Sequence, residues 1–71
     1  MINLKIERVR KRMTQAELAE KVGVNTFMIG RYEAGETAPR ADVLKKMAEV
    51  LDTTMDILME NAEDDEVKEA E

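Results

Sequence analysis

Apolar residues recur at helical spacing along most of this chain, and nowhere do they alternate in the manner of a strand. Leu4, Ile6, Val9 and Met13, with basic residues between them, predict a first helix over 4–13. Thr14-Gln15-Ala16-Glu17 then has the form of a capping box, in which the Thr hydroxyl and the Glu carboxylate each accept from the other residue's backbone N–H. The helix it opens carries Leu18, Ala19 and Val22 on one face and stops at Gly23, a residue suited to a left-handed cap. Asn25, a strong N-cap, starts a third helix almost at once, and this one runs to about Ala34 and ends at Gly35. After the loop Glu36-Thr37-Ala38-Pro39, a fourth helix is predicted from Arg40 to Leu51. Its Leu44, Met47, Ala48 and Leu51 recur at i, i+3, i+4 and i+7, and Asp42 suits its first turn. Thr53 or Thr54 caps a short fifth helix through Met55, Leu58 and Met59. From Asn61 the pattern dissolves into acidic residues, with Val67 the only large apolar one. The expected architecture is all-α: five short helices around one core in residues 1–60, then a disordered acidic tail over 61–71.

Composition narrows the chemistry. At 71 residues there is room for one small, marginally stabilised domain. The absence of Cys and His removes disulfides, thiolate metal sites and imidazole chemistry, and Ser is missing as well. No spacing suggests a carboxylate pair for acid–base work, and the tail acids lack a calcium-loop pattern, so neither an enzyme, a metal site nor a cofactor is expected. Met1-Ile2-Asn3-Leu4 leads directly into charged residues, and no apolar run approaches membrane-spanning length; a cytoplasmic protein without membrane contact is the expectation. The net charge of −5 argues on its face against a polyanionic partner. However, residues 60–71 hold seven acids against Lys68, a net of −6, which leaves residues 1–59 at +1. The acidity is a tail property, and what matters is where the ten basic residues of the body point.

The second and third helices form a unit that constrains several positions at once. Two short helices joined by a turn containing Gly describe a helix-turn-helix. Ala19 must be small where the helices cross, Gly23 must reach a positive φ, and Leu18, Val22, Val24, Ile29 and Tyr32 supply the apolar seam. On these residues the sequence resembles the phage-repressor and Cro type of helix-turn-helix proteins, the XRE family. The resemblance covers Leu4 to Met59. It rests on Thr14 to Val24, on Arg31-Tyr32-Glu33-Ala34-Gly35 with Pro39 following, and on Ala48-Glu49-Val50-Leu51. It implies a lambda-repressor-like fold and sequence-specific binding of duplex DNA, usually as a homodimer on a two-fold symmetric operator, to regulate transcription, with repression the expected direction. No small-molecule ligand is expected. Arg12 and Asp52 depart from the pattern, standing where similar proteins often have Gly; Phe27 replaces a usually small or polar residue, and Gly30 interrupts an exposed helical position.

On the third helix Ile29, Tyr32 and Glu33 share one face, while Thr26, Phe27, Gly30 and Arg31 share the other, which is free to enter a major groove. Arg31 is the leading base reader, because its fork matches guanine O6 and N7. Thr26 suits a base edge or a thymine methyl. Phe27 either presses on a thymine methyl or folds over Met28 as satellite core. Gly30 is either a gap that lets the backbone approach or a tolerated weak point. Asn25 caps, alone or together with a phosphate or base contact. Gln15, at the start of the second helix, takes the phosphate role that the resemblance implies, with Arg40 and Arg12 as further phosphate neighbours. The resemblance also pairs Arg8 with Glu33 as a structural ion pair. Met55, Ile57, Leu58 and Met59 are the candidate dimer surface, or else they close the core. The alternative function is a protein-interaction module on the same fold, such as an antitoxin or a polymerase-contacting regulator.

Overall fold

The computed structural model describes residues 1–60; the acidic tail over 61–71 lies outside the described residues. The chain forms five helices: α1 (Ile2–Arg10), α2 (Gln15–Val22), α3 (Thr26–Ala34), α4 (Ala41–Val50) and α5 (Met55–Met59). Among the described residues there is no strand. Nor is any of these helices long and apolar enough to cross a membrane.

The starts of the helices follow from their caps. Thr14 Oγ1 accepts from the Glu17 N–H at 3.0 Å, and Glu17 Oε1 accepts from the Thr14 N–H at 2.8 Å, completing the capping box of α2. Asn25 Oδ1 accepts from the Met28 N–H at the start of α3, and Thr54 Oγ1 from the Ile57 N–H at the start of α5. Arg40 occupies the cap position of α4 without a side-chain bond, so this helix begins one residue later than the sequence pattern suggests.

The ends share one device. Helices α1, α2, α3 and α4 are each closed by a residue at positive φ: Arg12 (58°), Gly23 (91°), Gly35 (79°) and Asp52 (56°). After each, the next backbone N–H turns back to a carbonyl of the last turn: Met13 to Arg8, Val24 to Ala19, Glu36 to Arg31 and Thr53 to Ala48, at 2.9–3.1 Å. Arg12 and Asp52 therefore keep the same left-handed geometry as Gly23 and Gly35, at a cost in local strain that Gly avoids.

Each helix contributes to one core. Leu4, Leu18, Ile29, Met47, Leu51 and Leu58 are fully buried, and Ala19, Tyr32, Leu44 and Ala48 complete the cluster. Burying one such large aliphatic side chain contributes about 1.5–3 kcal/mol. Helix α2 packs on α3 and α4, α1 packs on α3 and α5, and α5 also touches α4. Val22, Val24 and Met28 flank the seam between α2 and α3. Here Ala19, with its single methyl, lies buried between the two helices.

One expectation needs correction, and one open alternative is narrowed. The first helix spans Ile2–Arg10 rather than 4–13, and its apolar pattern does not mark its buried face: Ile6 and Val9 are exposed, while Arg8 turns inward. The cause is Glu33 on α3. Arg8 Nε donates to Glu33 Oε2 at 2.6 Å and Nη2 to Glu33 Oε1 at 3.3 Å, while Nη1 reaches the Met13 carbonyl at 2.7 Å. The side chains keep only 11% and 5% of their exposure, so the pair orients α1 on α3 from within. Second, Leu58 is sealed in the core at 0% exposure and cannot belong to a dimer surface, and Met55 packs partly buried against that core. Of the four residues on α5 proposed for such a surface, only Ile57 and Met59 face outward. A five-residue helix must spend its inward position on closing the core.

Candidate nucleic-acid interface

Helix α3 has one face in the core and one in the open. Ile29, Tyr32 and Glu33 are buried; Thr26 and Phe27 are exposed, and Gly30 and Arg31, on the same outer side, are half-buried. Beside this outer face stands the N-terminal turn of α2, held there by the seam and by the short turn through Gly23 and Val24. Together Gln15, Thr26, Phe27, Gly30, Arg31 and Glu36 line an open depression of about 310 Å³. Five of these six residues are candidates from the sequence.

Gln15 is more constrained than an exposed side chain. Its Nε2 donates to Glu33 Oε1 at 3.0 Å, so it joins the Arg8–Glu33 pair as a third member. The amide has a second N–H and a carbonyl oxygen still available toward the depression. A Cβ built on Gly30 would stand 3.8 Å from Gln15 Nε2, an ordinary contact distance, so the interior of the fold does not demand Gly there.

Arg31 runs along the outer face with 41% of its side chain exposed. Its Cζ lies 5.8 Å from the centre of the Phe27 ring, within reach of a cation–π attraction. Phe27 is 69% exposed and does not fold into a satellite core. Glu36 Oε1 stands 3.6 Å from Arg31 Nε. Glu36 is the member of the group that sequence reasoning missed. Its place depends on the left-handed closure at Gly35, which folds residue 36 back over the last turn of α3, and no spacing rule for helices reaches across such a closure.

The remaining candidates lie elsewhere. Asn25 is exposed at the start of α3 and serves as its cap. Arg40 is exposed at the start of α4, 3.9 Å from Asp42. Arg12 is exposed in the strained turn after α1. None of the three lines the depression. Among the described residues no group of three or more acidic side chains is placed to hold a metal ion.

A family model described as "Helix-turn-helix" matches residues 4–58. The chain is 31% identical over 65 residues to the uncharacterized HTH-type transcriptional regulator YqaE of Bacillus subtilis (strain 168), covering 92% of this chain and 56% of that protein. It is 41% identical over 44 residues to multiprotein-bridging factor 1c of Arabidopsis thaliana, covering 62% of this chain and 30% of that protein. The chain thus spans about half or less of the length of these relatives. No solved structure matched it.

Proposed function

The chain belongs to the helix-turn-helix family, and from that premise we propose that it is a DNA-binding transcriptional regulator whose α3 enters the major groove of duplex DNA. The observation that carries this reading is the division of α3 into a buried face and an outer face bearing Thr26, Phe27, Gly30 and Arg31 beside Gln15. A helix presented in this way fits the groove, and residues toward its N-terminal end reach base edges. Arg31 pairs with guanine, Thr26 with a neighbouring base edge, and Phe27 with a thymine methyl. Gln15 and the free N–H groups opening α2 meet a phosphate, flanked by Asn25, Arg40 and Arg12.

So few phosphate contacts make one domain a weak binder, and two copies act on paired half-sites about 34–36 Å apart. The second copy meets the first through Ile57 and Met59 of α5. These lie beside α1, to which α5 is tied by the bond from Asn3 Nδ2 to the Ile57 carbonyl at 2.9 Å, and α1 exposes Ile2, Ile6 and Val9. Binding as a dimer to a symmetric operator, the protein acts as a repressor by occupying it. Affinity falls by roughly 0.9 log units per neutralised phosphate for each log unit of salt.

Selection of bound duplexes from a random pool tests the proposal. The expected result is a symmetric consensus whose guanine preference disappears in Arg31→Ala, a loss of about 1–3 kcal/mol of discrimination. A consensus unchanged by that substitution rejects it. A second reading, a protein-interaction module, is favoured by the exposed Phe27 and by the similarity to a bridging factor. It predicts no salt-sensitive gel shift with random duplex at low salt, where a DNA reader gives one.

A further inference from the structure

Glu36 lies on the rim of the depression and has no part in the core. We infer that Glu36 is a specificity-determining positioning residue: it holds the Arg31 guanidinium in the orientation that reads guanine and turns it away from phosphates. This rests on the DNA-reading role proposed above for Arg31.

Arg31 Nε is itself buried and has no hydrogen-bond partner. At 3.6 Å the Glu36 carboxylate is near enough to attract it and too far to bond it. Phe27 meanwhile attracts the guanidinium from the ring side. Glu36 is anchored in this position through its own backbone, because its N–H donates to the Arg31 carbonyl at 3.0 Å across the closure at Gly35. A guanidinium offers five N–H donors in a planar fork. With Nε beside Glu36 and Cζ over the Phe27 ring, the donors left free are those of Nη1 and Nη2, and these can bond guanine O6 and N7 as a pair. The same carboxylate opposes the unselective alternative. When Arg31 moves to a phosphate, Glu36 loses its cation while a second anion draws near, so indiscriminate backbone binding is penalised. An acid on a DNA-facing rim weakens total affinity and sharpens choice.

The test uses the intact chain, a duplex selected from a random pool, its single-base variants, and random duplex. Glu36→Gln keeps the shape and removes the charge, and with 61% of its side chain exposed the residue is not needed for folding. Affinity for random duplex should rise about two- to fivefold, as expected when one exposed like charge is removed. The preference for the selected over the random duplex should fall about tenfold, with the loss concentrated at the guanine whose preference Arg31→Ala abolishes. If Glu36→Gln raises both affinities by one common factor while Arg31→Ala still erases a guanine preference, the DNA-reading role stands and Glu36 is only a surface charge. If Arg31→Ala erases no preference, the reading role falls, and the inference about Glu36 falls with it.

Discussion

Arg8→Ala should be among the most damaging substitutions in this protein, although Arg8 does not line the depression beside α3. The change removes two bonds to Glu33 and one to the Met13 carbonyl. Glu33, 5% exposed in the intact protein, then keeps the Gln15 amide as its remaining side-chain donor. Breaking a buried pair from one side costs about 3–5 kcal/mol, because the stranded charge loses its counter-ion in a largely desolvated place. A folded body of this size holds roughly 3–9 kcal/mol in total, at about 0.05–0.15 kcal/mol per residue. The substitution therefore removes about a third of the stability or more, and the melting temperature should fall by at least about 12 °C. Replacing both partners, as Arg8→Met with Glu33→Leu, should restore much of it, since apolar groups of similar size carry no desolvation penalty. Urea unfolding followed by circular dichroism, run as a double-mutant cycle, measures the coupling directly. Single substitutions costing under about 1 kcal/mol, or effects that simply add, would refute the assignment of α1's orientation to this pair.

Three further outcomes follow from the geometry. Gly30→Ala should raise stability by about 0.5–1 kcal/mol, because the new methyl meets only Gln15 at 3.8 Å; duplex affinity should drop in the same protein, and a gain in both would contradict the groove-facing role. Arg12→Gly should stabilise by up to about 1 kcal/mol by relieving a positive φ, and Asp52→Gly by less, because Asp tolerates the left-handed region better; thermal melts compare the two. Leu58→Ala should cost about 2–5 kcal/mol in unfolding free energy, whereas Met59→Ala should leave monomer stability within about 0.5 kcal/mol and instead shift sedimentation toward the monomer.

Local signals made much of this fold legible. The capping box at Thr14, the caps at Asn25 and Thr54 and the glycines at 23 and 35 each act over a few residues, and each appears in the structure where the sequence suggested it. The seam of Leu18, Ile29 and Tyr32 was readable because helices of eight or nine residues offer enough turns for a face to declare itself. Legibility failed where an interaction between distant segments outranked the local pattern. Apolar spacing alone would bury Ile6 and Val9, but Arg8 faces inward to Glu33, 25 positions away along the chain, a pairing that the family resemblance signals and the helical spacing does not. In α5 there are too few residues for periodicity to choose among 57, 58 and 59. Glu36 escaped notice because an acid in a loop carries no signal until the closure at Gly35 brings it beside Arg31.

The left-handed closures leave this molecule almost no slack. Between α2 and α3 only residues 23–25 intervene, and the Val24 N–H is already committed to the Ala19 carbonyl. One added residue there must either break that bond or rotate α3 by about 100° about its own axis, swinging Ile29 to where Gly30 stands and bringing Met28 into the core position that Ile29 fills. The longer stretch from 35 to 40 carries no such constraint after Glu36, so an extra residue beyond that point can bulge outward. Length variation among relatives should accordingly be absent from the first junction and concentrated in the second.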